Sequence, residues 1–220
     1  MQPTEASWLG EQLAGFPKDR ISPLLNVGSG SAHFRQAQHP WIEEHIFAPL
    51  DQRAIKVSHL DIFPAPGIDI VGDPCEVGTK RGLAQVEFHS AICANVLEHV
   101  PDRERLANAL LNVLSIGGLL FVTVPHAYPY HACPIDTLFR PDIEELHALF
   151  PGTRLLAGEI IDCGSFFDQI RHQPLLIPRL LLPVYKPKRW YGLIQRIPWL
   201  TRTYQETCIV LQKQTKQSAN

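Results

Sequence analysis

The stretch LLNVGSGSAHF, Leu24 to Phe34, decides how the chain is read. Four apolar or weakly polar residues, Leu24 to Val27, break into Gly28, Ser29 and Gly30, the pattern of a strand ending in a tight turn that allows close backbone approach. Such a turn is either a simple reversal or the floor of a cofactor site, and the rest of the chain decides between them. The dinucleotide pattern G-x-G-x-x-G fails, because its third glycine would fall on His33. The next good helix start is Pro40, too late to bring a helix N-terminus to a pyrophosphate. A nucleoside ligand without phosphates fits this turn better.

Composition sets the wider frame. A chain of 220 residues with 45% hydrophobic and 19% charged residues is long enough for one domain with a substantial core. The formal net charge of -2 gives no general attraction to nucleic acid, so a nucleic-acid partner is not expected. Cys75, Cys93, Cys133, Cys163 and Cys208 lie far apart with no C-x-x-C pair, which argues against a zinc ribbon or disulfide scaffold and for a reducing cytoplasm. No basic segment precedes an apolar one at the start. No apolar run approaches the roughly 18 residues of a membrane span.

Outward from the glycine turn, helices and strands alternate. A first helix over TEASWLGEQL, with Thr4 as N-cap, precedes the Leu24–Val27 strand, and a helix opens at Pro40. Strands follow in AIKVSHL, in IDIVG (Ile68 to Gly72) and in HSAICANV. A helix over DRERLANALLNVLS then ends at Gly117 and Gly118 before the strand LLFVTV. A helix opened by Pro141 and the strands RLLAGEII and ETCIVLQ complete the order. Nearly continuous apolar strands alternating with helices predict an α/β, Rossmann-like sheet of seven mostly parallel strands with helices on both faces. Between strands two and three only Ile62 to Gly67 remains, a connection too short for an ordinary helical crossover.

Ligands of such sheets bind beyond the carboxyl ends of the strands. Those ends carry Gly28, Ser29 and Gly30, then Asp61, then Asp73, then Asn95 to His99. Glycines admit a ligand to the backbone, and a carboxylate at the next strand end suits the two hydroxyls of a ribose.

Together LLNVGSG, HLDI, VGDP, ICANVLEHVPD and IGGLLFVTVP resemble the class I S-adenosylmethionine-dependent methyltransferases, in the broad group with an LEHV signature. The resemblance covers about Leu24 to Val124 and implies S-adenosylmethionine as cofactor. On this chain it implies that Asn26, Gly28, Ser29 and Gly30 border the methionine part and that Asp61 binds the ribose hydroxyls beside Ile62. It further implies Asp73 and Pro74 at the adenine edge, with Asn95, Val96 and Leu97 bordering the sulfonium. The chain departs from the family at Asn26, Ala32 and His89, where an acid, a glycine and an aspartate are usual. These departures keep open a second class, a non-catalytic binding or membrane-associated module with the same fold.

Methyl transfer is an in-line displacement, and a hydroxyl acceptor also needs a base. His131 and Asp136, inside HAYPYHACPIDTLFRP, are the candidate acceptor-side pair, with His99 beside the cofactor. The spacing of His126, His131, Cys133 and Asp136 matches no compact zinc pattern, and no metal is expected. NVLEH replaces the Asn/Asp-Pro-Pro-aromatic segment of many amine-directed base methyltransferases. That disfavours base methylation of this kind and leaves other nucleic-acid and protein acceptors open; the first expectation is a small-molecule acceptor methylated on oxygen, such as a glycan or lipid-linked intermediate.

The expected organisation is a single domain over 1–220, an insertion over 163–204 and a polar tail over 213–220. From Gln169 to Gln205 the insertion carries Arg171, Arg179, Lys186, Lys188, Arg189, Arg196 and Arg202, interleaved with Trp190, Tyr191, Trp199 and prolines, and no acid. It is a lid or homodimer flap, or a surface for the inner face of an anionic membrane or a lipid-linked substrate. RNA contact through the same residues is the remaining alternative.

Overall fold

The computed structural model describes residues 1–131, 135–172, 190 and 193–214. The elements run, in chain order, α1 (Pro3–Ala14), α2 (Lys18–Ile21), β1 (Leu24–Val27), α3 (Pro40–Ile42), α4 (Ala48–Gln52), β2 (Val57–Asp61), β3 (Ile70–Val71), α5 (Val77–Leu83), β4 (Phe88–Ala94), α6 (Arg103–Val113), β5 (Leu114–Ala127), α7 (Ile143–Ala148), β6 (Thr153–Ser165), α8 (Phe166–His172) and β7 (Thr203–Lys213). The seven strands form one sheet in the order β3-β2-β1-β4-β5-β7-β6. β7 is antiparallel to both of its neighbours, and the other pairs are parallel.

The apolar strands explain why both faces are covered. Along β5, Leu120 and Val122 join the core under α5, α6 and α7, while Leu119 and Phe121 join the core under α1, α2 and α4. Each parity of the strand therefore buries its own stripe, which is what a doubly covered sheet requires. The helices carry local stop and start signals. Asp102 caps α6 by accepting from Arg105 N at 3.0 Å, and Asp142 with Glu145 forms a capping box on α7.

Three local expectations change, and a fourth gains an element. The expected cap Thr4 lies inside α1, because Pro3 occupies the first turn and Gln2 N pairs with Glu5 Oε2 at 2.9 Å. Pro141 likewise sits ahead of α7, whose cap is Asp142. The helix expected to end at Gly117 and Gly118 stops at Val113, and those glycines lie in a register shift of β5 against β4. A helix does start at Pro40 as expected (α3), but a further helical stretch precedes it. Helical backbone begins at Ala32, runs through a π-helical stretch Phe34–Gln38, and is interrupted at His39 (φ -131°, ψ 64°). Proline disfavours α geometry in the residue before it, and His39 ahead of Pro40 leaves that geometry.

β2 and β3 pair in parallel across 62–69 without an intervening helix. The segment between β6 and β7 comprises 166–202, since Ser165 already pairs with Thr203. Residues 163–165 and 203–204 of the expected insertion are thus sheet. Of the basic residues in it, Arg179, Lys186, Lys188 and Arg189 lie outside the described residues, as does the tail from 215. Among the described residues no helix is long and apolar enough to cross a membrane.

Candidate cofactor and acceptor site

The carboxyl ends of β1, β2 and β4 meet at the glycine turn. Gly28 and Gly30 have φ of +67° and +61°, the left-handed region open to glycine. A side chain at Gly28 would lie 2.4 Å from Val96 Cγ2, so the turn and Asn95–Leu97 approach as closely as backbone permits. Asp61 ties the two ends together: Gly30 N donates to its Oδ2 at 2.8 Å and Phe63 N to its Oδ1 at 3.2 Å. Ile62 beside it is 55% exposed, an open apolar face at the rim. Asp73 accepts from Cys75 N at 2.7 Å at the end of β3, with Pro74 buried next to it.

A pocket opens at this junction, lined by Asn26, Gly28, Ser29, Phe34, Ala94 and Asn95. Asn26 is buried, and its amide nitrogen lies 3.1 Å from His59 Nδ1. Burial and the nearby Arg35 push the His59 imidazole down to about 4, so it stays neutral and accepts from that amide. Leu97, by contrast, is wholly buried in the apolar core, which leaves only its backbone for a ligand.

The stretch supporting the turn also carries a residue to which the sequence gives no role. Arg35 is 4% exposed and directs its guanidinium to Ser29 O, Gly30 O and Gly67 O at 3.3, 2.5 and 2.9 Å. Three carbonyls of two loops are thereby drawn to one cation. Arg35 is the rivet of the glycine turn. Its place comes from the helical backbone directly after the turn, capped by Ser31, whose hydroxyl accepts from Phe34 N at 3.1 Å.

The acceptor-side candidates come together at the ends of β4 and β5. Thr137 donates its amide and hydroxyl to Glu98 O at 2.9 and 2.8 Å, fastening the 135–140 loop to the 3₁₀ turn Leu97–His99. That contact sets the His99 and His131 rings 5.2 Å apart, edge to face. His99 Nδ1 lies 2.5 Å from Ile135 O, and His131 Nδ1 lies 3.2 Å from Asp136 Oδ2. Burial opposes charge on Asp136. Arg140, at 2.7 and 3.2 Å, and the amides of His131 and Leu138 outweigh that burial and hold the carboxyl down at about 2. Desolvation lowers the His131 imidazole. His126 stands apart, against Pro141 O at 3.1 Å and the Thr207 hydroxyl at 3.3 Å. Cys133 lies outside the described residues.

No protein-family model matches this sequence, and no curated protein matches it. Solved structures do. Coclaurine N-methyltransferase, bound to N-methylheliamine and S-adenosylhomocysteine, superposes with a TM-score of 0.61 at 12% identity over 95% of this chain and 70% of that one. A proposed sarcosine dimethylglycine methyltransferase from Galdieria sulphuraria gives a TM-score of 0.60 at 13% identity over 95% and 85%. The [4+2]-cyclase SpnF gives 0.57 at 15% identity over 95% and 81%.

The fold is that of the S-adenosylmethionine-dependent methyltransferases.

Within this methyltransferase fold, three buried carboxylates gather behind the acceptor-side histidines. Glu5 of α1 is wholly buried and accepts from Asn95 Nδ2 at 2.6 Å, Thr123 Oγ1 at 2.5 Å and Gln2 N. Glu98 is wholly buried with no hydrogen-bond partner on either oxygen, and Glu206 is 2% exposed with Oε2 unpaired. Burial, then the charges of Glu5 and Glu98, raise the Glu206 carboxyl well above the carboxylate range. A raised folded-state value means that stability is complete below the unfolded value and declines as pH rises through the folded one. Glu206→Gln should therefore raise the melting temperature clearly at pH 8.5 and much less at pH 5. An equal shift at both values, in melts followed by circular dichroism, would show that Glu206 does not titrate there.

Tyr128, Tyr204 and Trp199 wall this chamber, with ring centroids 4.9 Å apart for the first pair and 5.3 Å for the second. Trp199 belongs to the segment between β6 and β7. That segment leaves and re-enters the sheet on the site's edge, because β6 runs with β5 and β7 runs against it.

Proposed function

We propose that this chain transfers a methyl group from S-adenosylmethionine to a hydroxyl of a small-molecule acceptor. The observation carrying this reading is the glycine turn locked to Asp61 at the same sheet edge as His99, His131 and Asp136. The residues fit the cofactor: Asn26, Gly28, Ser29 and Gly30 would hold its methionine part, Asp61 with Ile62 its ribose and adenine, and Asp73 with Pro74 the adenine edge. Bound there, the sulfonium supplies an electrophilic methyl group. Asn95 and Val96 close the pocket from the acceptor side and exclude water. His99 and the His131–Asp136 pair face the acceptor and draw off its proton. The S-adenosylhomocysteine held by the coclaurine enzyme supports the cofactor choice.

The rim favours an acceptor with an apolar portion. Ile62, Ile135 and Leu138 are all more than half exposed there, and Phe167 and Ile197 open the segment 166–202 to solvent. This supports a glycan or lipid-linked acceptor taken from the inner face of a membrane, with 166–202 as its lid. A second reading, an amine acceptor, is favoured by the buried carboxylates Glu98 and Glu206, which suit a cation, and by the N-methyltransferases sharing the fold.

Calorimetric titration with S-adenosylmethionine and S-adenosylhomocysteine tests the central claim. One-to-one binding is expected, and binding of neither would sink the enzyme reading in favour of a different role for the fold. Methyl counting on hydroxyl and amine panels then separates the two acceptor classes.

A further inference from the structure

We propose that Glu98, His99 and His131 form a binding site for a divalent transition-metal ion at the acceptor side of the sheet edge. The inference deepens the methyltransferase reading and rests on it for the role of the ion, though not for its binding.

One ligand atom from each of these residues lies within 4.8 Å of the other two. The His99 tautomer is fixed by its surroundings. Nδ1 can sit 2.5 Å from Ile135 O only as an N–H donor, so the lone pair of the neutral ring is on Nε2. That nitrogen faces Glu98 Oε1 across 3.6 Å, too long for a hydrogen bond. Two electron-rich atoms thus confront each other in a buried setting. Both Glu98 oxygens lack any donor, although the side chain is wholly buried. Burial pushes the Glu98 carboxyl up to about 7, so a buried carboxylate without partners either takes up a proton or takes a counter-charge, and the site is built for the second.

The rest of the cluster is built as a metal site is built. A ring nitrogen held by a backbone carbonyl and a second ring held near a carboxylate are the supports that orient histidine ligands. Ile135 O serves His99, and Asp136, itself fixed by Arg140, lies 3.2 Å from His131 Nδ1. Two imidazoles and one carboxylate select a first-row transition ion and leave coordination positions open. Ligand atoms around such an ion stand roughly 3.3 Å apart at tetrahedral geometry, given metal–ligand bonds of about 2.1 Å. The 3.6 Å gap is close to that, and all three ligand atoms lie within 4.8 Å of one another.

Coordination positions not taken by the protein would be available to the acceptor. A hydroxyl coordinated there loses its proton to water more readily, since a bound ion lowers the pKa of an oxygen ligand. The freed oxygen then forms a bond to the methyl carbon as the carbon–sulfur bond breaks, leaving the neutral thioether. With their lone pairs on the ion, His99 and His131 would act by holding it, in place of the direct proton removal they perform at the ion-free site. Sequence spacing gave no sign of this set, because His131 joins Glu98 and His99 only through the Thr137–Glu98 contact.

The test is titration of the untagged, metal-stripped full chain with Co²⁺, without cofactor, followed by visible absorption and calorimetry. One equivalent should bind with a ligand-field band, and the isosteric Glu98→Gln and the variant His131→Ala should each weaken binding at least 10-fold. Melting curves of both variants check that they fold, and Glu98→Gln carries the test if His131→Ala does not. No band with no heat, or affinity unchanged in Glu98→Gln, overturns the site. Co²⁺ binding without S-adenosylmethionine binding would sink the methyltransferase reading and leave the ion site standing. Cofactor binding without Co²⁺ binding would do the reverse.

Discussion

Asp61→Ala should weaken S-adenosylmethionine binding by about 100-fold or more. The carboxylate has two tasks at the proposed site. In the free protein its oxygens hold Gly30 N and Phe63 N, so it sets the turn against the end of β2. In the complex it would accept from the two ribose hydroxyls, and each charge-assisted bond contributes about 1.5 kcal/mol or more. Two such bonds amount to about 3 kcal/mol, hence roughly two decades in affinity. Asp61→Asn keeps an acceptor for Gly30 and loses the charge, so it separates the tasks: intermediate affinity with a native melt is expected. Calorimetric affinities equal to the unmodified chain for Asp61→Ala would remove Asp61 from the ribose and move the nucleoside elsewhere on the edge.

Gly10→Ala should lower the melting temperature by roughly 5 to 10 °C. Gly10 lies on the face of α1 that meets Glu43–Phe47, and an added Cβ would stand 2.2 Å from His45 O. The obstacle is backbone, so relief requires α1 to lift off its neighbour. Overpacking of this kind costs about 1–3 kcal/mol, and 1 kcal/mol moves the melting point by roughly 2–4 °C in a chain of this size. Because α1 delivers Glu5 to Asn95 and Thr123, cofactor affinity should fall with stability. Glu11→Gln, exposed on the same helix, should change neither. An unmoved melt for Gly10→Ala would show that α1 is not seated on Glu43–Phe47.

The sheet was legible because each of its strands carries its own apolar signal. Leu24–Val27 is the first strand to the residue, and the carboxyl ends of β1, β2 and β4 could be placed by reading where each run stops. What could not be read were contacts with no local signal. Glu5 meets Thr123 across more than half the chain. Arg35 reaches Gly67, 32 residues away, from a short helical stretch with no apolar stripe to announce it. Glu98 belongs to LEHV, and nothing in that tetrapeptide says that its carboxylate will be buried without a partner. β7 likewise inserts antiparallel between β5 and β6 through pairings with distant residues.

The antiparallel entry of β7 has a consequence for how such a protein can diversify. The chain leaves the sheet after Ser165 and returns at Thr203, residues that already pair with each other. Everything between them is a graft on a closed stem. None of the hydrogen bonds that hold the glycine turn, from Asp61 to Gly30 or from Arg35 to Ser29, Gly30 and Gly67, involves a residue of that graft. A lineage could therefore exchange 166–202 wholesale, trading one acceptor for another, while the half of the sheet that grips the nucleoside stayed untouched.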